Sequence, residues 1–306
     1  MIQTKEKREL LGAYGVKEGE FSLLNSGEND TFLFQSGDKK FVIRRYRHHR
    51  YTLQQVKAEV AWMRHVRSIL PVPEIVENIN GYEITKLGSR FYLAFEYIDG
   101  NGISTPNHQD YARLGSLLST FHSTIPKVNS SLELDRSLQS RPSYKGEDVI
   151  YEAISSLCSA SFLSNQQKEQ CERKGEEMKK WLPHLSNDQF IHGDVFFGNI
   201  IESGEQWYLL DFDECGFGDR AFDIGVPRMH LLASSQLETY WPSFSAAYEN
   251  MPSEETVRAG TALRIMYMMG KIPKRLDIDH IKENPSRFIE RYMELIDSEL
   301  SGASFI

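Results

Sequence analysis

His192-Gly193-Asp194-Val195-Phe196-Phe197-Gly198-Asn199, followed shortly by Tyr208-Leu209-Leu210-Asp211-Phe212-Asp213, decides how this chain is read. In the first stretch an Asp and an Asn share a loop between apolar segments. In the second, a β-prone run delivers an Asp at its end. Phosphoryl transfer asks for a carboxylate that accepts a hydroxyl proton and for oxygen ligands to Mg²⁺. Mg²⁺ takes few hard oxygen donors from protein and completes its octahedron with phosphates and water. Asp194 suits the base, and Asn199 and Asp211 suit the metal. Asp and Asn are also ordinary turn and capping residues. Both motifs together, in this order and spacing, favour the chemistry over that plainer role.

Upstream, FSLL, TFLFQ and KFVIRRY are short β-prone runs separated by Gly, Asn and Asp. A helix is expected from Thr52 to Ser68, with Leu53, Val56, Val60 and Met63 at helical spacing and Pro71 and Pro73 ending it. GYEITKL and RFYLAFEY then form a hairpin, and Ile98 to Gly102 is a linker. Beyond it the pattern is helical, interrupted by the strand–loop–strand unit that carries the two motifs. The expected fold class is α+β with two lobes. Residues 1–98 form a small nucleotide-binding lobe, a five-stranded antiparallel sheet with one helix. Residues 99–306 form a larger, mostly helical lobe with the catalytic loop and an acceptor-binding cap, and the nucleotide lies between the lobes.

IHGDVFFGNI followed by LLDFDE, with Gly218, Asp219 and Asp223 after them, resembles the aminoglycoside phosphotransferase and choline kinase-like family, relatives of the protein kinases. The first part is similar to that family's H-G-D-x-x-x-x-N catalytic loop, the second to its metal-binding strand. Gly193 and Asp213 stand where protein kinases have Arg and Gly, which favours the small-molecule branch. The resemblance implies ATP and Mg²⁺ as cofactors, a bilobal protein-kinase-like fold, and phosphorylation of a hydroxyl. It also implies that Asp223 opens a helix and anchors the catalytic loop by backbone hydrogen bonds.

The N-terminal region is similar more loosely. Alternation along Phe41-Val42-Ile43-Arg44 puts Val42 and Arg44 on one face, which in the kinase pattern covers adenine and presents a cation to the phosphates. Arg44 stands where Lys is commoner, a planar fork in place of a point charge. Glu59, the only acid between Thr52 and Ser68, lies on the flank of the buried stripe and is its expected partner. Phe95-Glu96-Tyr97-Ile98 resembles the interlobe hinge, so the backbones of Glu96 and Ile98 are the expected adenine contacts. Ser26-Gly27-Glu28-Asn29 stands where a phosphate-covering loop belongs, with Asn29 at its end, although it has one glycine only.

Other features exclude more than they assert. A net charge of −8 over 306 residues argues against sequence-independent nucleic-acid binding, which needs a basic face. The N-terminal MIQTKEKREL is charged and no run is long and apolar enough for a membrane span. Three widely spaced cysteines fit a reducing cytoplasm. Gly216-Phe217-Gly218-Asp219-Arg220-Ala221 imitates a dinucleotide-binding turn, but the acids in and before it would repel a pyrophosphate. His192 reads as a structural histidine, and Tyr240, Trp241, Phe244 and Tyr248 read as core packing ahead of an ammonium box. The partner is expected to be a small-molecule hydroxyl acceptor. A protein Ser/Thr kinase on the same scaffold and a nucleotide-binding pseudokinase remain open, as do the acceptor's identity and the oligomeric state.

Overall fold

The structure, a computed structural model, describes residues 2–27, 29–48, 50–124, 138–186 and 189–301. The chain divides into two compact units. The first comprises Met1–Ile103, Leu132–Arg141 and Ile200–Leu210, the second Ser104–Ser131, Pro142–Asn199 and Asp211–Ile306.

In the first unit, helix α1 (Thr4–Ala13) precedes strands β1 (Glu20–Ser26), β2 (Asp30–Ser36) and β3 (Lys39–Arg45). Helix α2 (Leu53–Arg67) follows, then β4 (Ile75–Val76), β5 (Ile84–Leu87) and β6 (Arg90–Glu96). The sheet has the order β1-β2-β3-β6-β4, with β5 also paired to β6, and every pairing is antiparallel. It therefore has six strands where the sequence suggests five, because β4 is a two-residue strand just after Pro71 and Pro73, too short to show a period. Helix α1 is also additional to the expected single helix. Its sequence, TKEKRELLGA, is mostly charged and buries only Leu10, so an apolar stripe could not reveal it. Leu10 packs with Phe34, Phe41, Ile43, Tyr92 and Ala94 in a small core. Phe41 and Ile43 thus belong to that core, which leaves Val42 and Arg44 to the opposite face of the strand.

Thr52 caps α2 by accepting a hydrogen bond from the Gln55 amide, with Gln55 reaching back to complete a capping box. Three further short strands, β7 (Asn101–Gly102), β9 (Ile200–Ser203) and β10 (Gln206–Leu209), form a second sheet in this unit with the order β10-β9-β7.

The second unit contains α3 (His108–Thr124), α4 (Gly146–Cys158), α5 (Asn165–Lys179), β8 (Gln189–Ile191), β11 (Gly216–Gly218) and α6 (Arg220–Ala233). After these come α7 (Leu237–Ala247), α8 (Glu254–Lys271), the short α9 (Asp279–Lys282) and α10 (Pro285–Leu300). Its core gathers Val149, Leu157, Phe222, Leu263, Met266, Ile289 and Ile296, among others, from α4, α6, α8 and α10. No described helix is long and apolar enough to cross a membrane.

Helices α6 and α8 cross at the centre of this unit. A Cβ built on Gly260 of α8 would lie 2.4 Å from the carbonyl carbon and oxygen of Ala221 and 2.6 Å from its Cβ. Backbone cannot yield as a side-chain tip can, so the crossing needs hydrogen at this position. Gly260→Ala is expected to destabilise the fold by about 1–3 kcal/mol, the usual cost of overpacking, despite the better helix propensity of Ala. Thermal or urea unfolding measures it. A variant as stable as the parent would show that the two helices do not cross this closely.

Candidate active site

In the first unit, β3 and α2 bring Arg44 and Glu59 together. An Arg44 Nη1 donates to Glu59 Oε1 at 2.8 Å, with Arg44 8% and Glu59 0% exposed. The Arg44 guanidinium lies 5.4 Å from the centre of the Phe95 ring, and Phe95 stands opposite Val42 in the β3–β6 register. A second cation, Arg141, reaches the same carboxylate. Its Nη1 is 3.8 Å from Glu59 Oε2 and donates at 3.3 Å to the Gln55 carbonyl. The sequence holds no local signal for Arg141, which is distant from both partners along the chain. Tyr46 is buried beside this group. Burial first, and then the Glu59 charge, push its hydroxyl well above the ordinary range.

The other residues expected in this unit are placed as follows. Val42 is half-buried. Asn29 is buried and its side-chain oxygen accepts the Arg47 amide at 3.3 Å, which makes it an anchor of its own turn. Glu28 of that turn lies outside the described residues. The Glu96 amide donates to the Glu74 carbonyl at 2.8 Å, and the Glu96 side chain accepts the Glu74 amide at 3.0 Å. With its N–H engaged, Glu96 would meet a nucleotide base through its carbonyl. Ile98 lies just past the end of β6, half-buried.

In the second unit, the loop from His192 to Asn199 is held from several sides. Asp223, in the first turn of α6, is 0% exposed. Its two carboxylate oxygens accept the amides of His192 at 2.8 Å and Gly193 at 2.6 Å. His122 is hydrogen-bonded to the same carboxylate at 3.1 Å. Burial pushes the Asp223 carboxyl up, but the hydrogen bond and charge of His122 and the backbone donors outweigh this and hold it below its ordinary value. Asp219, not Asp223, is the residue that opens α6, accepting the Ala221 amide at 2.7 Å. Its other oxygen takes the Ser186 amide and hydroxyl. A carboxylate thus occupies the helix N-terminus where a dinucleotide-binding turn would hold phosphate. His192 is fully buried and its Nδ1 accepts the Asp194 amide at 3.2 Å, a structural use. Gly193 has φ +87, and a Cβ there would meet the Glu214 carbonyl oxygen at 2.5 Å, so this position needs glycine on two counts.

Asp194 and Asn199 meet directly. Asn199 Nδ2 donates to the Asp194 carbonyl at 2.8 Å and to Asp194 Oδ2 at 3.0 Å. The amide nitrogen faces Asp194, which leaves the amide oxygen as the donor atom Asn199 can offer a metal. Asp211 follows β10 and has φ +61 and ψ +73, a left-handed conformation that few non-glycine residues adopt. Such strain collects at functional sites because the surrounding structure imposes it. One amide and one carboxylate oxygen source suit Mg²⁺. Among the described residues no group of three or more His, Cys, Asp or Glu could hold a metal by itself.

The sequence reading missed three residues on one face of α8. Arg264 donates from Nη2 to Asp194 Oδ1 and from Nη1 to the Gly193 carbonyl, both at 2.6 Å. Tyr267 and Lys271 both donate to the Glu214 carboxylate. Burial pushes that carboxyl up, but Lys271 and Arg264 beside it reverse the effect and hold it far below its ordinary value. The signal was the spacing R-x-x-Y-x-x-x-K, which places all three on one helical face. An apolar helix with an Arg and a Lys among its buried positions invites that reading. The aromatic group behaves as expected of packing. Phe244 and Tyr248 are buried, Trp241 stacks on Phe244, and Tyr240 stacks on Tyr111.

The model of the phosphotransferase enzyme family matches residues 20–259. The chain belongs to this family. It is a phosphotransferase with an alcohol group as acceptor. A homoserine kinase of Zymomonas mobilis is 22% identical over 84% of this chain and 80% of its own length. A serine/threonine protein kinase, RdoA, of Salmonella typhimurium is 23% identical over 82% of this chain and 76% of its own. Among solved structures, an amicoumacin kinase in complex with AMP-PNP, Ca²⁺ and Ami shares the fold. Its TM-score is 0.78 at 17% identity, covering 97% of this chain and 94% of that one.

The Asp223 anchor has a pH signature. A carboxylate whose folded pKa is depressed adds stability above its unfolded value, ~3.8, and loses it as pH falls through the folded one. Asp223→Asn is expected to be less stable than the parent by about 1.5–3 kcal/mol at pH 7, the range for hydrogen bonds to a charged group. The gap should narrow below about pH 4 as the parent protonates. Melting temperatures of both proteins between pH 7 and pH 3 test this, and a gap independent of pH would refute it.

Proposed function

We propose that the chain is an ATP- and Mg²⁺-dependent kinase that phosphorylates a hydroxyl of a small molecule of low net charge. The observation that carries this reading is the Asn199 amide, which holds the carbonyl and carboxylate of Asp194 with its nitrogen and keeps its oxygen for a metal. Base and metal ligand are thereby one rigid piece. The neighbour bound to AMP-PNP and Ca²⁺ supports the nucleotide and the divalent ion.

In this mechanism Asp194 accepts the acceptor's hydroxyl proton as the acceptor oxygen bonds to the γ-phosphorus. The bond from that phosphorus to the β–γ bridging oxygen breaks and ADP leaves. Asn199 and Asp211 would hold Mg²⁺, which would supply charge neutralisation at the phosphates. Arg44, fixed by Glu59, binds phosphate as a planar fork, and the carbonyl of Glu96 with the amide of Ile98 meets the adenine. A cytoplasmic location accords with free cysteines in the described chain.

Charge bears on the acceptor. Residues 101–190 hold 11 acids and 10 bases, and residues 226–306 hold 11 acids and 9 bases. Glu214 is paired with Lys271, and Arg228 is shared between Glu254 and Glu299. Long-range attraction of a polycation is therefore weak. The RdoA relative favours a second reading, a protein hydroxyl as acceptor.

ATP consumption against a panel of amino alcohols, hydroxy amino acids, sugars, antibiotics and a protein substrate tests the reading. A small neutral or zwitterionic hydroxyl compound should be a saturable substrate. An aminoglycoside turned over with kcat/KM in the ordinary enzyme range of about 10⁴–10⁸ M⁻¹s⁻¹ would overturn the charge argument.

Asp211→Asn and Asp194→Asn should fail differently. Asp211→Asn weakens Mg·ATP binding because a charged metal ligand is gone. Asp194→Asn leaves that binding nearly intact and lowers turnover by about 10²–10⁴, the range for loss of a general base. Calorimetry with Mg·ATP beside a turnover assay separates them, and the reverse pattern would exchange the roles.

A further inference from the structure

We infer that Arg264 is a positioning residue for phosphoryl transfer, the group that sets the plane of the Asp194 carboxylate. This rests on the reading of Asp194 as the base. One guanidinium reaches two consecutive loop residues, the Gly193 carbonyl through Nη1 and Asp194 Oδ1 through Nη2, each at 2.6 Å. Because the fork is planar and rigid, its two bonds fix carbonyl and carboxylate relative to each other. Asn199 takes the other carboxylate oxygen, Oδ2, at 3.0 Å. The carboxylate is thus gripped on opposite oxygens and cannot turn about its side-chain bonds. Each oxygen still has a second lone pair for the acceptor's hydroxyl.

An ion pair that served only the core would look different. Arg264 is 2% exposed; burial disfavours its charge, but the charges of Asp194 and of the buried Glu214 outweigh this. Glu214 nevertheless accepts hydrogen bonds from Tyr144, Tyr267 and Lys271. Lys271 neutralises Glu214, and Nη1 and Nη2 of Arg264 go instead to the half-buried Asp194 and its neighbour. The rings of Phe222 and Tyr267 lie 5.5 and 5.4 Å from the guanidinium carbon and hold the fork in place. A general base must stay within hydrogen-bonding reach of the proton it takes. A shift of about 1 Å in a catalytic group can cost about a hundredfold in rate.

The test uses the full chain with Arg264→Lys, Arg264→Ala, Asp194→Asn and the double variant Asp194→Asn/Arg264→Ala. Turnover is measured at saturating Mg·ATP with the best acceptor from the panel, and without acceptor as hydrolysis to water. The Kd for Mg·ATP and the melting temperature are measured beside it. Lys keeps the charge but cannot make both forked bonds, so Arg264→Lys should fold and lose at least about tenfold in kcat, with Kd within about twofold. Arg264→Ala should lose about a hundredfold and regain part of it when guanidinium chloride is added at millimolar concentration. In the Asp194→Asn background the Ala change should cost less than about threefold, because residues acting as a unit are not additive. Two outcomes overturn the inference. One is Arg264 variants with near-parental kcat and only a lower melting temperature. The other is an equal loss of kcat in both backgrounds. A parent chain that neither binds nor consumes Mg·ATP would instead refute the kinase reading on which the inference rests.

Discussion

The buried Asp223 carboxylate is the interaction on which the site depends. It sits at full burial on α6 and collects the amides of His192 and Gly193 together with the His122 ring. An isolated buried carboxylate is costly, and it is tolerable only when its lone pairs are filled by donors. Here the donors are the backbone of the loop itself. The charge that needs partners and the loop that needs fixing satisfy each other, which holds Asp194 in place one residue further on. Gly193 completes the arrangement, since its positive φ and the approach of the Glu214 carbonyl exclude any side chain.

The same principle recurs through both units. In the first, the buried Glu59 carries Arg44 on one oxygen and Arg141 near the other. In the second, α8 lays Arg264 on the loop and Lys271 on Glu214, while Arg228 joins Glu254 and Glu299. Ion pairs of this kind add little net stability compared with apolar packing. What they provide is geometry, because a guanidinium fork or a doubly bonded carboxylate has few acceptable orientations. The close crossing of α6 and α8 at Gly260 and Ala221 matters for the same reason. It sets α8 at the depth from which Arg264 reaches Gly193 and Asp194.

The elements with strong local signals were legible in the sequence. Alternation separated Phe41 and Ile43 from Val42 and Arg44, and the helical period placed Glu59 on an inward flank, where the structure buries it. The loop motif put Asp194 and Asn199 in one loop, and the structure brings them into direct contact. Helix α1 and strand β4 were not legible. One is a charged helix with a single buried residue and the other is two residues long, and neither carries a period.

What the sequence determined by itself was a set of chemical types in order: a carboxylate and an amide in one loop, a carboxylate after a strand, a cation on a strand and an acid on the next helix. These follow from local spacing, and local spacing is what a linear reading measures. Tertiary structure alone decided which of the many remaining charged residues complete the site. Arg264 lies 70 positions from Asp194 and Arg141 lies 86 from Gln55. Nothing near them in the chain specifies their partners. They reach them because a buried guanidinium needs acceptors, and the fold brings the carboxylates and carbonyls of the Asp194 loop to Arg264 and those of α2 to Arg141.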